Sequence, residues 1–180
     1  MMDYKLQEYT FYKEIGRGAS GCVWLAKSSK DIYCAIKVVD KVSIGEEAYT
    51  REVRGISTYG RLPWYSGLVP VFDFWEDSQN ARFYSVMAVA DDEMTGRDIN
   101  PETYRPKTLS SLISSNVALP MVQCISMARV LLNALEYLQK NHLIHRDIKP
   151  GNILIINDQP VLTDFGLAID FREANSIVGT

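Results

Sequence analysis

His145-Arg146-Asp147-Ile148-Lys149-Pro150-Gly151-Asn152 packs a carboxylate, two cations and an amide into a loop constrained by Pro and opened by Gly. Phosphoryl transfer needs this set: a carboxylate to orient an attacking hydroxyl and take its proton, a cation for the moving phosphoryl group, and an oxygen ligand for a metal. A solvated charged loop is the plainer reading, and the spacing argues against it. Asp164-Phe165-Gly166 stands 12 residues past Asn152, after the apolar Val161-Leu162. A carboxylate at a strand end, followed by a backbone-freeing glycine, can hold a metal that bridges phosphates. Alone, Asp-Phe-Gly is a common turn; its weight comes from lying downstream of the first motif.

Two further groups lie upstream. Ile15-Gly16-Arg17-Gly18-Ala19-Ser20-Gly21-Cys22-Val23 reads GxGxxGxV between two strand-like runs, so its N–H groups can approach phosphates with no Cβ in the way. A plain glycine hairpin competes with phosphate cover. A dinucleotide fingerprint would need a helix next, whereas Cys22 to Ala26 reads as a strand. Lys37, in Ala35-Ile36-Lys37-Val38, sits in an apolar strand 16 residues after Gly21. Burying it is costly unless an anion meets it; an edge-strand Lys facing water is the alternative. Glu52 is the candidate partner, and Glu46 and Glu47 compete from near the helix start, where carboxylates also suit the helix dipole.

These groups must be carried by elements that the hydrophobic pattern outlines. Tyr9 to Asp40 predicts three strands, with a hairpin turn at Ser28-Ser29-Lys30-Asp31. Ser43 to Tyr59 shifts to a helical period through Ala48, Glu52, Val53 and Ile56, with Gly60 as a stop. Leu68 to Trp75 and Arg82 to Val89 predict an antiparallel pair, giving a five-stranded sheet. Asp91 to Lys107 is polar and aperiodic, a long exposed connection that halves the chain. A short helix follows Thr108. Pro120 to Asn141 predicts the strongest helix, with Pro120 in its first turn and an apolar face of Ile125, Ala128, Leu131, Leu132, Leu135 and Leu138. Leu143 to Thr180 reads as loops joined by short strands.

With 180 residues, 47% of them hydrophobic, the composition is globular, for one domain or two small lobes. A net charge of −3 gives no reason to expect nucleic acid or an anionic membrane. No stretch approaches the ~18 apolar residues of a membrane span. Cys22, Cys34 and Cys124 are odd in number and widely spaced, which points to neither disulfides nor zinc and to a reducing, cytoplasmic setting.

Together the four ordered motifs resemble the eukaryotic-type Ser/Thr protein kinase catalytic domain, from about Tyr9 to the last residue. The resemblance implies an α+β, protein-kinase-like fold: a small lobe (1–90) of a five-stranded antiparallel sheet plus one helix, then a hinge or insertion and a partial, mainly helical large lobe (91–180). It implies that Gly16, Gly18 and Gly21 cover the phosphates of ATP, that Ile15 also binds the nucleotide, that Val23 and Ala35 sandwich adenine, and that Lys37, paired with Glu52, holds the α/β-phosphates. Met87 falls at the family's gatekeeper, Ala88 to Ala90 at the hinge whose backbone bonds adenine, and Leu154 at the pocket floor. Asp147 becomes the catalytic base, Lys149 the γ-phosphate cation, and Asn152 and Asp164 the Mg²⁺ ligands. Lys149, two residues past Asp147, is similar to Ser/Thr rather than Tyr kinases. Arg146 resembles the phosphate-pairing Arg of kinases switched on the activation segment, with Ser176 and Thr180 as available hydroxyls; an unregulated hydrogen-bonding role is the alternative.

Two departures from the family pattern stand out. The 91–107 connection is longer than a typical hinge link and reads as an insertion, a candidate docking surface. Gly179-Thr180 ends the sequence where the family continues through the substrate-binding loop and several helices, so truncation inside the activation segment and little autonomous activity are expected. The competing functions are a non-catalytic nucleotide-binding or interaction module and a small-molecule phosphotransferase. The presence of Lys37, Asp147, Asn152 and Asp164 argues against loss of chemistry by substitution.

Overall fold

The computed structural model describes residues 4–115 and 118–172; Ser176 and Thr180 lie outside them. The first three strands are β1 (Tyr9–Gly18), β2 (Gly21–Ser28) and β3 (Tyr33–Asp40). After two helices come β4 (Val71–Asp77) and β5 (Arg82–Met87), all joined in one antiparallel sheet of order β1-β2-β3-β5-β4. Strand β3 is therefore central, with Lys37 opposite Val23 on one side and Ser85 on the other.

The helix expected over Ser43 to Tyr59 is two: α1 (Lys41–Ile44) and α2 (Glu46–Tyr59). Asp40 caps α1 by accepting from the N–H groups of Val42 and Ser43, and the chain breaks at Gly45, whose φ of 84° cannot continue a helix. β4 starts later than expected because Gly67 to Val69 pairs elsewhere: Leu162 N–H donates to Gly67 O, and Val69 N–H to Leu162 O. Pro70 follows with no N–H to give a ladder.

The second half contains α3 (Leu109–Ser114), closed by a reciprocal Thr108/Ser111 capping box, and α4 (Met121–Lys140). Pro120 is the N-cap of α4 rather than a first-turn residue. Short strands follow: β6 (Leu143–Ile144) pairs with β9 (Ile169–Asp170), and β7 (Ile153–Ile156) with β8 (Gln159–Leu162). Among the described residues no helix is long and apolar enough to cross a membrane.

One core cluster joins the two halves: Tyr59, Leu68 and Val69 pack with Ala134, Leu138, Leu143, Ile153, Leu162 and Phe165. Of the expected α4 face, Leu138 is buried and Leu131 and Leu135 are half-buried, but Ile125, Ala128 and Leu132 are exposed. Among the described residues, α4 packs mainly from Val130 onward. The 91–107 connection is exposed over much of its length, as its polarity suggested, but it is anchored by three buried residues. Asp91, Asp92 and Tyr104 are buried, and the Asp92 carboxylate accepts from the N–H groups of Met94, Thr95 and Arg105 at 2.8, 3.0 and 2.9 Å. A side chain here does the work that a regular ladder does elsewhere.

Candidate active site

Lys37 is 6% exposed on the central strand, where an unpaired ammonium would be strongly disfavoured. Two carboxylates meet it: Glu52, buried on α2, forms an ion pair with its Nζ, and Asp164 Oδ1 lies 2.6 Å away. Burial by itself would lower the Lys37 pKa, but Asp164 and Glu52 outweigh it and raise it above its ordinary value. The competing carboxylates are exposed in the first turn of α2, where Glu46 pairs with Lys41 at 2.7 Å.

Asp164 opens the 3₁₀ turn Phe165–Leu167 from a left-handed backbone with φ 67°. Phe165, beneath it, is buried between two rings: Tyr59 of α2 stacks on it at a 3.5 Å centroid distance, and His145 meets it edge-on at 4.7 Å. Asp147 N–H donates to His145 Nδ1 at 3.2 Å, so Nε2 carries the proton and donates to the Thr163 carbonyl at 2.9 Å. Burial lowers the His145 pKa, which suits this neutral tautomer. One imidazole thus ties the 145–147 loop to the strand end that carries Asp164.

The loop's polar groups converge. Asp147 Oδ2 accepts from Lys149 Nζ at 2.6 Å and from Asn152 Nδ2 at 2.9 Å, and Asn152 Nδ2 also reaches the Asp147 carbonyl. The Lys149 hydrogen bond, helped by Asn152, holds the Asp147 carboxyl below its usual range and keeps it ionised. Asn152 O accepts from Thr163 N–H at 2.9 Å, which brings the amide next to Asp164. Arg146 has a φ of 70°, is exposed, and has no hydrogen-bond or ion-pair partner among the described residues.

A cleft of about 380 Å³ runs between these groups and the sheet. Ile15, Gly16, Gly18, Gly21, Val23, Ala35, Lys37, Met87, Ala88, Ala90, Lys149, Asn152, Leu154 and Asp164 all line it. Glu52 and Asp147 are not among its lining residues but touch ones that are: Glu52 pairs with Lys37, and Asp147 bonds Lys149 and Asn152 at the cleft's edge. Gly21, at φ 148°, has no room for a Cβ against the Val38 carbonyl, while Gly18 has open space around it. The glycine hairpin is thus both a turn and one side of the cleft. At the hinge, Ala88 N–H donates to Pro70 O at 3.0 Å, so this donor is taken within the protein.

The sequence reading missed Tyr104, Pro106 and Thr108 from the connection, and Ser85 and Thr163 deeper in, all of which line the cleft. Tyr104 left one faint signal, a lone aromatic between Pro101 and Pro106 in a polar stretch. Such an arrangement can grip a polyanion between the glycine hairpin and Lys37, and present a carboxylate to a hydroxyl at its far end.

Comparison with known proteins agrees. A sequence profile for the protein kinase domain matches residues 9–180. The chain is 27% identical over 170 residues to the serine/threonine-protein kinase PLK4 of Drosophila virilis, covering 93% of this chain and 20% of that protein. It is 29% identical over 164 residues to the serine/threonine-protein kinase greatwall of Bos taurus, covering 91% and 17%. With an Aurora kinase of Saccharomyces cerevisiae it shares 31% over 170 residues, covering 91% and 41%. The chain spans less than half the length of these relatives. The chain therefore belongs to the protein kinase domain family, and the relatives named above are kinases of which it spans only part.

Proposed function

We propose that this chain transfers the γ-phosphoryl group of ATP to Ser or Thr hydroxyls of a protein substrate, with Mg²⁺ held by Asn152 and Asp164. The observation that carries the reading is Lys37, held between Glu52 and Asp164 on the same cleft as the glycine hairpin and the Asp147 loop. Lys37, with two carboxylates against it, is fixed as an ammonium for the α/β-phosphates. Lys149 is placed for the phosphoryl group in transit. Asp147 Oδ2 is engaged by Lys149 and Asn152, which leaves Oδ1 for the attacking hydroxyl. A carboxylate with a lowered pKa orients that hydroxyl early and accepts its proton late.

The residues fit Mg²⁺, which keeps water and phosphate oxygens and needs only one or two protein ligands. With Asn152 Nδ2 engaged by Asp147 and Asp164 Oδ1 by Lys37, each side chain has one oxygen left over. Bound there, the ion would neutralise charge building on the phosphates. In this reading residues 1–90 and 91–180 are the two lobes flanking the cleft, nucleic acid is not a partner, and the site works in the cytoplasm. Burial, which pushes the Cys34 thiol up to about 11, suits a chain without disulfides.

The exposed apolar N-terminal half of α4 supports a second reading, in which this stretch alone binds nucleotide with little transfer. Transfer of labelled phosphate by the 180-residue chain and by a version extended with downstream sequence, each beside Asp147→Asn, separates the two. We expect the extended chain to transfer and its Asp147→Asn form to lose roughly 10²–10⁴-fold. Robust transfer by the short chain, abolished by Asp147→Asn, would remove the second reading; an inactive extended chain would remove the first.

A further inference from the structure

Strand β1 is an outer edge of the sheet, paired only with β2, and its ladder is broken twice, between Phe11 and Lys13 and between Glu14 and Gly16. Irregularities of this kind bend a strand and loosen its hold on its neighbour. The glycine hairpin at its end is therefore a lever with little sheet to fix it. Lys13, between the two breaks, supplies another hold: its Nζ donates to the Glu102 carbonyl at 3.1 Å, across 89 residues of chain.

The carbonyl that Lys13 finds is firmly presented. Glu102 N–H donates to Asn100 Oδ1 at 3.0 Å, and Thr103 and Tyr104 N–H donate to Asn100 O at 3.2 and 2.8 Å. The Tyr104 hydroxyl donates to the Ala90 carbonyl at 3.0 Å, and the Asp91 carboxylate accepts from Asn157 and Asp158 N–H, each at 2.9 Å. The turn around Glu102 thus belongs to the second half of the chain, whereas Lys13 belongs to the sheet. Both ends of the bond neighbour the cleft, since Ile15 follows Lys13 by two residues, Tyr104 follows Glu102 by two, and both line it. We propose that Lys13 is a positioning residue of the nucleotide cleft: through the Glu102 carbonyl it holds the glycine hairpin down on a bound nucleoside triphosphate and slows its release. This rests on the nucleotide reading above. A charged donor makes a stronger bond than a neutral one, and a bond that must break before the two sides part acts on dissociation.

Release of a fluorescent ATP analogue, chased with excess ATP in a stopped-flow mixer, is timed for the native chain, Lys13→Met, Lys13→Arg and Asn100→Ala. Lys13→Met removes the donor and keeps much of the stem; it is expected to release the analogue about threefold to fivefold faster, with the urea midpoint unchanged. Lys13→Arg, which keeps a cationic donor on a long stem, is expected to restore slow release. Asn100→Ala changes no charge and should speed release similarly, and adding Lys13→Met to it should bring little further change. A purely structural role would lower the urea midpoint and leave release unmoved, and a role as a bare charge would slow association, the more so at low salt. Either result overturns the proposal and leaves nucleotide binding intact; should Asn100→Ala not fold, Lys13→Met decides alone. If the native chain binds no analogue, the nucleotide reading fails and the inference with it.

Discussion

Replacing Gly55 with alanine tests how tightly α2 seats on the turn that carries Asp164. Gly55 is buried one turn after Glu52, and a Cβ there would overlap the Phe165 carbonyl oxygen, with Gly166 O at 2.9 Å and Gly166 C at 3.0 Å. All three are backbone atoms, so no side chain can swing aside. Restoring ordinary contact needs α2 to retreat by roughly 1–1.5 Å. Two opposed effects then decide the outcome. Alanine is favoured over glycine inside a helix by ~1 kcal/mol, whereas overpacking costs about 1–3 kcal/mol. The balance predicts a net loss of up to about 2 kcal/mol. Since Glu52 moves with α2, Lys37 loses its closest anion and shifts toward Asp164, and nucleotide affinity should fall about tenfold, or ~1.4 kcal/mol. Urea denaturation reads the first quantity and titration with a fluorescent ATP analogue the second. A variant that is ~1 kcal/mol more stable, with unchanged affinity, would show that helix propensity prevails and that the close approach of α2 does not control the site.

Two other changes probe the parts that hold the cleft. His145 is kept neutral by burial, with its pKa lowered, so its contribution to stability is complete above pH ~6.5 and is lost as pH falls below that through the lowered folded value. The urea midpoint of the native chain should therefore decline as pH drops from about 6.5 to 5, and His145→Gln should flatten that decline; equal slopes would contradict the assignment. Asp92→Ala strands three N–H donors at a buried position and should cost about 1–3 kcal/mol, with faster proteolysis inside 93–105. Unchanged cleavage would mean that the connection is held by something other than this carboxylate.

The parts of the fold and site that could be read in advance are those written in short stretches of sequence. Hairpin turns and period-two alternation locate β1, β2 and β3 because strand partners there are neighbours in the chain. Lys37 and Glu52 could be paired because a Lys in an apolar strand demands an anion and the helical period turns Glu52, not Glu46, toward the sheet. Tertiary competition hides the rest. Leu68 and Val69 look like the start of a strand, but Leu68 N–H turns back to Tyr65 O and Val69 N–H donates to Leu162 O, more than ninety residues on. The 91–107 stretch looks solvated because its polar residues are indistinguishable, in sequence, from surface ones; Asp92 turns inward only because three N–H groups await it. The exposure of Ile125 and Leu132 is equally invisible, since an apolar stripe does not say whether a partner is present.

The two ion pairs of Lys37 differ greatly in chain separation, 15 residues to Glu52 and 127 to Asp164. On a ribosome the difference becomes a delay: 127 − 15 = 112 further residues must be made after Glu52 before Asp164 exists. At ~5–20 residues per second that is about 6 to 22 s. Through that interval the Lys37–Glu52 couple is electrically balanced, and the nascent sheet and α2 can close around it. Asp164 then arrives as a second carboxylate on one ammonium and leaves the cluster with a surplus negative charge. The affinity of this corner for cations is thus the last property the nascent chain acquires, and it appears only after the elements that shape the corner have been made.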